Sequence, residues 1–223
     1  MASKKTSSRK RSRPIEPKTK GFVKNKLFIG LVILIIAIAG ISAIALTILN
    51  DNEESNGGDE KPYAIIDTTK GTIVVELFID KVPNTCDNFI KLANDGFYND
   101  MIFHRISDNF MIQAGYLYSD GSTQVSPYGN IEFEYNETAL HVDGAISMAS
   151  TGSGVGGSSQ FFICDGAQPF LDGSYAVFGV TVEGINVVRE IASAQLDPNQ
   201  IGQDGSGPPL EEIKINSIKI EYR

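Results

Sequence analysis

This sequence predicts an all-β domain, a closed antiparallel β-barrel capped by two helices, preceded by one transmembrane helix. Three observations predict it. Residues from Pro62 onward hold 18 of the chain's 20 aromatics and 17 of its 22 glycines, set out as short β-branched runs between turns. Two stretches within that part change to the three- and four-residue apolar spacing of a helix. Nearer the N-terminus, Leu27–Leu49 runs for 23 residues without a charge.

The first element along the 223 residues is a basic tail over 1–26, where ten of the nineteen Lys and Arg lie beside a single acid, Glu16. The uncharged segment follows. As a helix rising about 1.5 Å per residue it spans roughly 34 Å, enough for a hydrocarbon core of about 30 Å. A cleavable signal peptide is the competing reading, but its apolar region is about 7–15 residues long and ends at a small-residue cleavage site. Basic residues before the segment, and Asp51, Glu53, Glu54, Asp59 and Glu60 after it, place the N-terminus in the cytoplasm and the remainder outside. The tail reads as a solvated topogenic segment, with an anionic-lipid or nucleic-acid patch as the alternative. Asn50–Lys61 is polar and nearly devoid of apolar residues, the composition of a flexible tether. The chain thus divides into a cytoplasmic tail (1–26), a transmembrane helix (27–49), an acidic linker (50–61) and an extracytoplasmic domain (62–223), held at the cell membrane by a single pass.

Within the domain, Tyr63–Asp67 and Thr72–Phe78 are β-branched runs joined by Thr-Thr-Lys-Gly, where Gly71 supplies the positive φ of a hairpin, so they pair antiparallel. Val82–Asp95 then reads as a helix: Pro83 suits the first turn, Cys86, Phe89, Ile90 and Ala93 share a face, and Gly96 stops it. Strands are expected at Met101–Ile106, Met111–Ala114, Ala145–Ala149, Gln160–Cys164 and Ala176–Val182. A helix over Ile185–Ala192 and a closing strand at Glu212–Glu221 complete the list.

Charge and motif content exclude several chemistries. From Tyr63 onward eight basic residues face 21 acidic ones, a net of −13 that repels a phosphate backbone, so no nucleic acid is expected to bind the domain. With two Cys, two His and no C-x-x-C, no metal or redox centre is indicated. The run Gly152-Ser-Gly-Val-Gly156-Gly157 fits G-x-G-x-x-G but leads into a strand rather than a helix, so it reads as a glycine loop and not a dinucleotide site. No G-x-S-x-G elbow supports a hydrolase. His104 reads as structural and His141 as exposed. Cys86 and Cys164 each sit on an apolar face and read as two buried thiols, although an outside location permits a disulfide. Asn136-Glu-Thr138 is the one glycosylation sequon. The informative anomaly is Arg105, one of only three arginines after the membrane segment, set in an apolar strand-like run where a guanidinium needs partners or a purpose.

Arg105 belongs to a series. Phe-His-Arg-Ile (103–106), Phe-Met-Ile-Gln (110–113), Ile-Ser-Met-Ala (146–149), Ser-Gln-Phe-Phe-Ile (159–163), Phe-Leu-Asp-Gly (170–173) and Ala-Val-Phe-Gly (176–179) occur in order, after Val-Pro-Asn-Thr-Cys-Asp-Asn-Phe at 82–89. Together they resemble the cyclophilin family of peptidyl-prolyl cis-trans isomerases over essentially all of 63–223. The resemblance implies eight strands in the barrel, a catalytic arginine at Arg105, and a proline pocket of Phe110, Met111, Phe162 and Leu171. It also implies positioning glutamines at Gln113 and Gln160, and Ala149 and Ser150 along the peptide groove. Phe170, Tyr175 and Ser150 stand where the best-known eukaryotic members have Trp, His and Asn. Phe170 and Tyr175 resemble bacterial-type members, so turnover is expected while cyclosporin binding, which in the family uses that Trp, is expected to be weak.

The residue types suit the chemistry. Rotation about an X-Pro bond faces a barrier of about 18–20 kcal/mol and takes tens to hundreds of seconds unaided. No bond breaks. A site speeds it by holding the ring in an apolar pocket and donating a hydrogen bond to the proline nitrogen as it pyramidalises, which favours the twisted state over both planar ones. An always-charged arginine with five donors in a rigid fork serves, and neither cofactor nor metal is required. The expectation is a monomeric, membrane-anchored isomerase acting on proline-containing polypeptides, assisting the folding of exported or cell-surface proteins. A proline-segment binding module or holdase without catalysis is the alternative, and a purely structural surface protein a third.

Overall fold

The computed structural model describes residues 60–223. The tail, membrane-span and nearly all of the tether assignments lie outside the described residues. Among those described, no helix is long and apolar enough to cross a membrane.

Thr69 and Lys70 turn β1 (Pro62–Thr68) into β2 (Gly71–Leu77), antiparallel from Tyr63↔Glu76 to Thr68↔Gly71. Gly71 has φ +130°, and a Cβ there would lie 3.0 Å from Val187, so glycine answers both a backbone and a packing demand. Helix α1 (Pro83–Asn94) follows, with Pro83 in its first turn and Gly96 just beyond its end at φ +70°. Its buried face carries Cys86, Phe89, Ile90, Leu92 and Ala93. The remaining strands are β3 (Arg105–Ser107), β4 (Met111–Ala114), β5 (Ala145–Met148), β6 (Phe161–Cys164), β7 (Val177–Glu183) and β8 (Ile215–Tyr222). Helix α2 (Ile185–Ala192) separates the last two strands, and a 3-10 turn (Pro169–Leu171) follows β6.

All eight strands form one antiparallel sheet in the order β3-β4-β6-β5-β7-β2-β1-β8, curled into a half-barrel. The expected closure is corrected here: no ladder joins β3 to β8. The outer edge of β3 is taken instead by a later loop, through Ile106 N–H to Gly207 O (2.8 Å) and Gly207 N–H to Ile106 O (3.2 Å). Across the seam, Met101 and Phe103 meet Ile215 and Ile213 by single backbone bonds of 2.8 and 3.0 Å. A three-residue strand already paired on both sides has no free edge left with which to close a ring.

Strand alternation sorts the side chains to two faces. On β6, Phe161 and Ile163 enter the main core, whereas Phe162 and Cys164 face a second, smaller apolar cluster on the other side. The main core centres on Phe89, fully buried, whose ring lies 5.1–5.6 Å from those of Phe178, Tyr98 and Phe161. Each such aromatic pair adds about 0.5–1.5 kcal/mol beyond the area buried. Cys86 and Cys164 are both buried and unbonded, and burial pushes each thiol up to about 12.

The N-terminus of α1 has no side-chain cap of its own. Glu134, some fifty residues on, supplies it: one carboxylate oxygen accepts from the Asn84 backbone N–H (3.2 Å) and amide (2.7 Å), the other from the Thr85 N–H and hydroxyl (both 2.7 Å). Burial raises this carboxyl, but the bonds from Thr85 and Asn84 outweigh it and hold the group below its ordinary value. A depressed carboxyl stabilises the fold above its unfolded pKa, and that contribution disappears as pH falls through the folded one. Glu134→Ala is therefore expected to cost about 1 kcal/mol at neutral pH, and less in acid, as read by thermal unfolding at several pH values.

Candidate active site

Four strands bring the sequence-predicted residues into one row. Arg105 on β3 is opposite Gln113 on β4, Gln113 is opposite Phe162 on β6, and Phe162 is opposite Ser147 on β5. Residues so paired across neighbouring strands share a face, so register alone sets a cation, an amide and an aromatic ring side by side on the face opposite the main core.

Around Phe162 lies an apolar cup of about 60 Å³ lined by Phe110, Met111, Phe162, Leu171 and Tyr175. Tyr175 meets Phe162 edge-to-face at 5.8 Å. Phe170 is not part of the wall; 69% exposed, it stacks on Phe110 at 5.9 Å and stands on the rim. Roomier hollows exist, such as one of about 350 Å³ bounded by Lys70, Glu190, Leu210 and Ile213. Unlike that hollow, the cup combines aromatic walls with an adjacent guanidinium.

That guanidinium is gripped on three sides. Arg105 Nε donates to Ser206 Oγ (2.7 Å), Nη1 to Gln113 Oε1 (3.0 Å) and Nη2 to Asp204 Oδ2 (2.7 Å). Three of five N–H groups meet oxygen acceptors in this way; of the other two, the one on Nη2 has no partner among the described residues and the one on Nη1 has only a long sulfur contact. Nη1 also lies 4.0 Å from the Met111 sulfur in the cup wall, and the guanidinium carbon sits 5.9 Å from the centre of the Phe110 ring. The fork thus borders the cup and does not enter the barrel interior. Gln113 Nε2 in turn donates to Gln160 Oε1 (3.0 Å), and both glutamines line a second, open hollow of about 180 Å³ with Ala149, Ser150, Asn130 and the loop through Gly156 and Gly157. A Cβ on Gly156 would overlap the Ile131 carbonyl, so those glycines serve close packing.

The family model described as "Cyclophilin type peptidyl-prolyl cis-trans isomerase/CLD" matches residues 63–220. Peptidyl-prolyl cis-trans isomerase CYP18-2 of Arabidopsis thaliana is 35% identical over 161 residues, 71% of this chain and 93% of that protein. A peptidyl-prolyl cis-trans isomerase of Synechococcus elongatus is 44% identical over 130 residues, 57% of this chain and 87% of its own. This chain belongs to the cyclophilin family. A peptidyl-prolyl cis-trans isomerase-like 2 protein of Rhizopus delemar is 42% identical over 163 residues, 72% of this chain, but the match spans only 29% of that longer protein. Among solved structures, a cyclophilin type isomerase of Cryptosporidium parvum superposes with TM-score 0.64 at 30% identity, covering 73% of this chain and 98% of that one. The protein is therefore a peptidyl-prolyl cis-trans isomerase.

Two features of this cyclophilin escaped the sequence reading. Asp204 and Ser206 lie about a hundred residues from the arginine they hold, in a Gly-rich loop without a recognisable motif. His141, expected to be exposed, is 2% exposed. Its ring stacks on Phe162 at 5.9 Å and 7°, with Nδ1 2.8 Å from Asp172 Oδ1 and Nε2 3.1 Å from Ser147 Oγ. Burial raises Asp172, yet the bonds from His141 hold it below the ordinary carboxylate value. An ionised Asp172 makes Nδ1 the donor and leaves Nε2 to accept from the serine. This Ser-His-Asp line braces the floor of the cup; Ser147 is fully buried and unavailable as a nucleophile.

Both histidines are held neutral. Burial, reinforced by Arg105, lowers His104 from 6.5 to about 4, and its Nδ1 is buried without a partner. Burial also lowers His141, against an opposing pull from Asp172. Because the unfolded chain takes up these protons near pH 6.5 and the folded one at lower pH, stability is full above that value and falls as pH drops toward 4. His104→Phe is expected to flatten part of that decline, seen as a smaller Tm difference between pH 7 and pH 4.5.

Proposed function

We propose that this isomerase is anchored by Leu27–Leu49 and turns X-Pro bonds in exported or cell-surface proteins, with Arg105 as its catalytic donor. The single observation that carries the mechanism is the gripped guanidinium, with an N–H to spare on Nη2, bordering a small apolar cup. Proline enters among Phe110, Met111, Phe162, Leu171 and Tyr175, while the chain before it runs along Gln113, Gln160, Ala149 and Ser150 toward the second hollow. As the imide twists, its nitrogen pyramidalises and gains a lone pair, and a spare N–H of Arg105 donates to it. Planar imides offer that donor little, so the bond is strongest at the top of the barrier, which accelerates exchange in both directions. A Cryptosporidium parvum cyclophilin was crystallised in the presence of the dipeptide Ala-Pro, in keeping with proline-containing polypeptides as substrates.

The support for an outside location is the 23-residue uncharged segment between a basic tail and an acidic linker. Phe170 and Tyr175, as in bacterial-type members, support weak cyclosporin binding, and the domain acts as a monomer. The test uses cells making the full chain. Carbonate-washed membranes are expected to retain it and to accelerate isomerisation of an X-Pro peptide with little inhibition by cyclosporin. External protease is expected to remove the 62–223 domain from intact cells. Recovery in the soluble fraction, or full protection from protease, contradicts the anchor or its orientation.

A further inference from the structure

We infer that Asp204 and Ser206 are positioning residues for isomerisation, closing a hydrogen-bonded ring on the flank of Arg105 that fixes the roll of its guanidinium toward the cup. The inference rests on the reading of Arg105 as the donor. Arg105 Nε donates to Ser206 Oγ (2.7 Å), Ser206 Oγ–H donates to Asp204 Oδ1 (2.7 Å), and Asp204 Oδ2 accepts from Arg105 Nη2 (2.7 Å). Every atom of the ring has a compatible role, because a hydroxyl can give one proton and accept another while an ionised carboxylate only accepts. The Ser206 backbone N–H adds a bond to Oδ1 (3.1 Å). Those contacts, from the Ser206 hydroxyl first and Arg105 next, hold the Asp204 carboxyl far below the ordinary range, so it stays charged.

The loop is built to present this pair. Gly202 N–H reaches Ser206 O (2.7 Å), Gly205 N–H reaches Gly202 O (3.1 Å), and Gly205 has φ +77°. A Cβ on Gly202 would lie 2.8 Å from Asp204 Oδ1, so glycine leaves the carboxylate room. Ser206 is buried, and the bonds between Ile106 and Gly207 fasten the loop to β3 directly beside Arg105.

A positioning role follows from weighing stability against geometry. Arg105 and Asp204 have side chains 35% and 56% exposed, and such a pair contributes about 0–1 kcal/mol to folding. Its geometric effect is larger. Gln113 alone leaves the guanidinium free to swing about its terminal bonds. Holding Nε and Nη2 from the opposite side removes that freedom and leaves the spare N–H aimed where charge develops.

The test compares the full-length protein with Asp204→Ala, Asp204→Asn and Ser206→Ala in an X-Pro peptide assay. Asp204→Ala is expected to lower kcat about tenfold with KM within a factor of about two and Tm nearly unchanged. Asp204→Asn, which keeps one acceptor oxygen, loses less. In an Arg105→Ala background, assayed at raised enzyme concentration, Asp204→Ala causes no further loss, whereas a merely structural role would give the same loss in both backgrounds. By NMR, the Arg105 Nε–H exchanges slowly with water in the wild type and faster in Ser206→Ala. Wild-type kcat in both Asp204→Ala and Ser206→Ala, or equal losses in the two backgrounds, overturns the inference. Wild-type turnover by Arg105→Ala itself removes the donor reading instead, and the two failures are thus told apart.

Discussion

Arg105→Ala is expected to lower kcat/KM for an X-Pro peptide roughly 10²–10³-fold, the loss found when a preorganised donor to a developing charge is removed. Binding should suffer less than turnover, because the cup walls belong to other residues and a planar imide makes little use of the fork. The fold should persist. Asp204 is largely exposed and rehydrates, Ser206 keeps its bond to Asp204, and Gln113 keeps its bond to Gln160. Circular dichroism and thermal unfolding check the fold, and a coupled isomerisation assay checks the rate. Near-wild-type turnover by a folded Arg105→Ala protein defeats the mechanism.

Phe162→Ala is expected to damage both the fold and the site. Its ring is 6% exposed, stacked on His141 and met edge-on by Tyr175, and it forms the floor of the cup. Truncation leaves a void costing about 3 kcal/mol, a large share of the roughly 5–15 kcal/mol that holds a typical domain together. It also removes the flat face that the proposed mechanism puts under the proline ring, so KM is expected to rise at least tenfold, about 1.4 kcal/mol. Phe162→Leu separates the two effects: most of the volume returns, so Tm recovers, while the flat aromatic surface does not, so KM stays high. Recovery of KM along with Tm would show that the cup needs bulk alone.

Local signals were the legible ones. The hairpin at Gly71, the helix over Ile185–Ala192 and the strand Met111–Ala114 each rest on a turn residue or an apolar period contained within a dozen positions, and the structure has all three. The cup and fork were reachable through ordered motifs, since neighbouring strands carry them in register. What resisted reading depends on partners remote in sequence. Met101–Ile106 resembled one strand, yet only Arg105–Ser107 joins the ladder, because the chain before it pairs singly with residues on either side of the seam. His141 sits among residues that look like a solvated turn, and its burial is made by Asp172, Ser147 and Phe162. The Asp204 carboxylate carries no local mark of the arginine it meets. Barrel closure, likewise, is a question of which edges touch, and alternation within strands is silent on it.

The loop fastened along β3 has one more consequence. A short sheet margin left bare would display unpaired amide and carbonyl groups, an invitation for strands of other molecules to attach and for aggregates to grow. Seating Gly207 against Ile106 occupies that margin from within the same chain, so the segment that steadies the arginine also makes this flank of the molecule unreceptive to its neighbours.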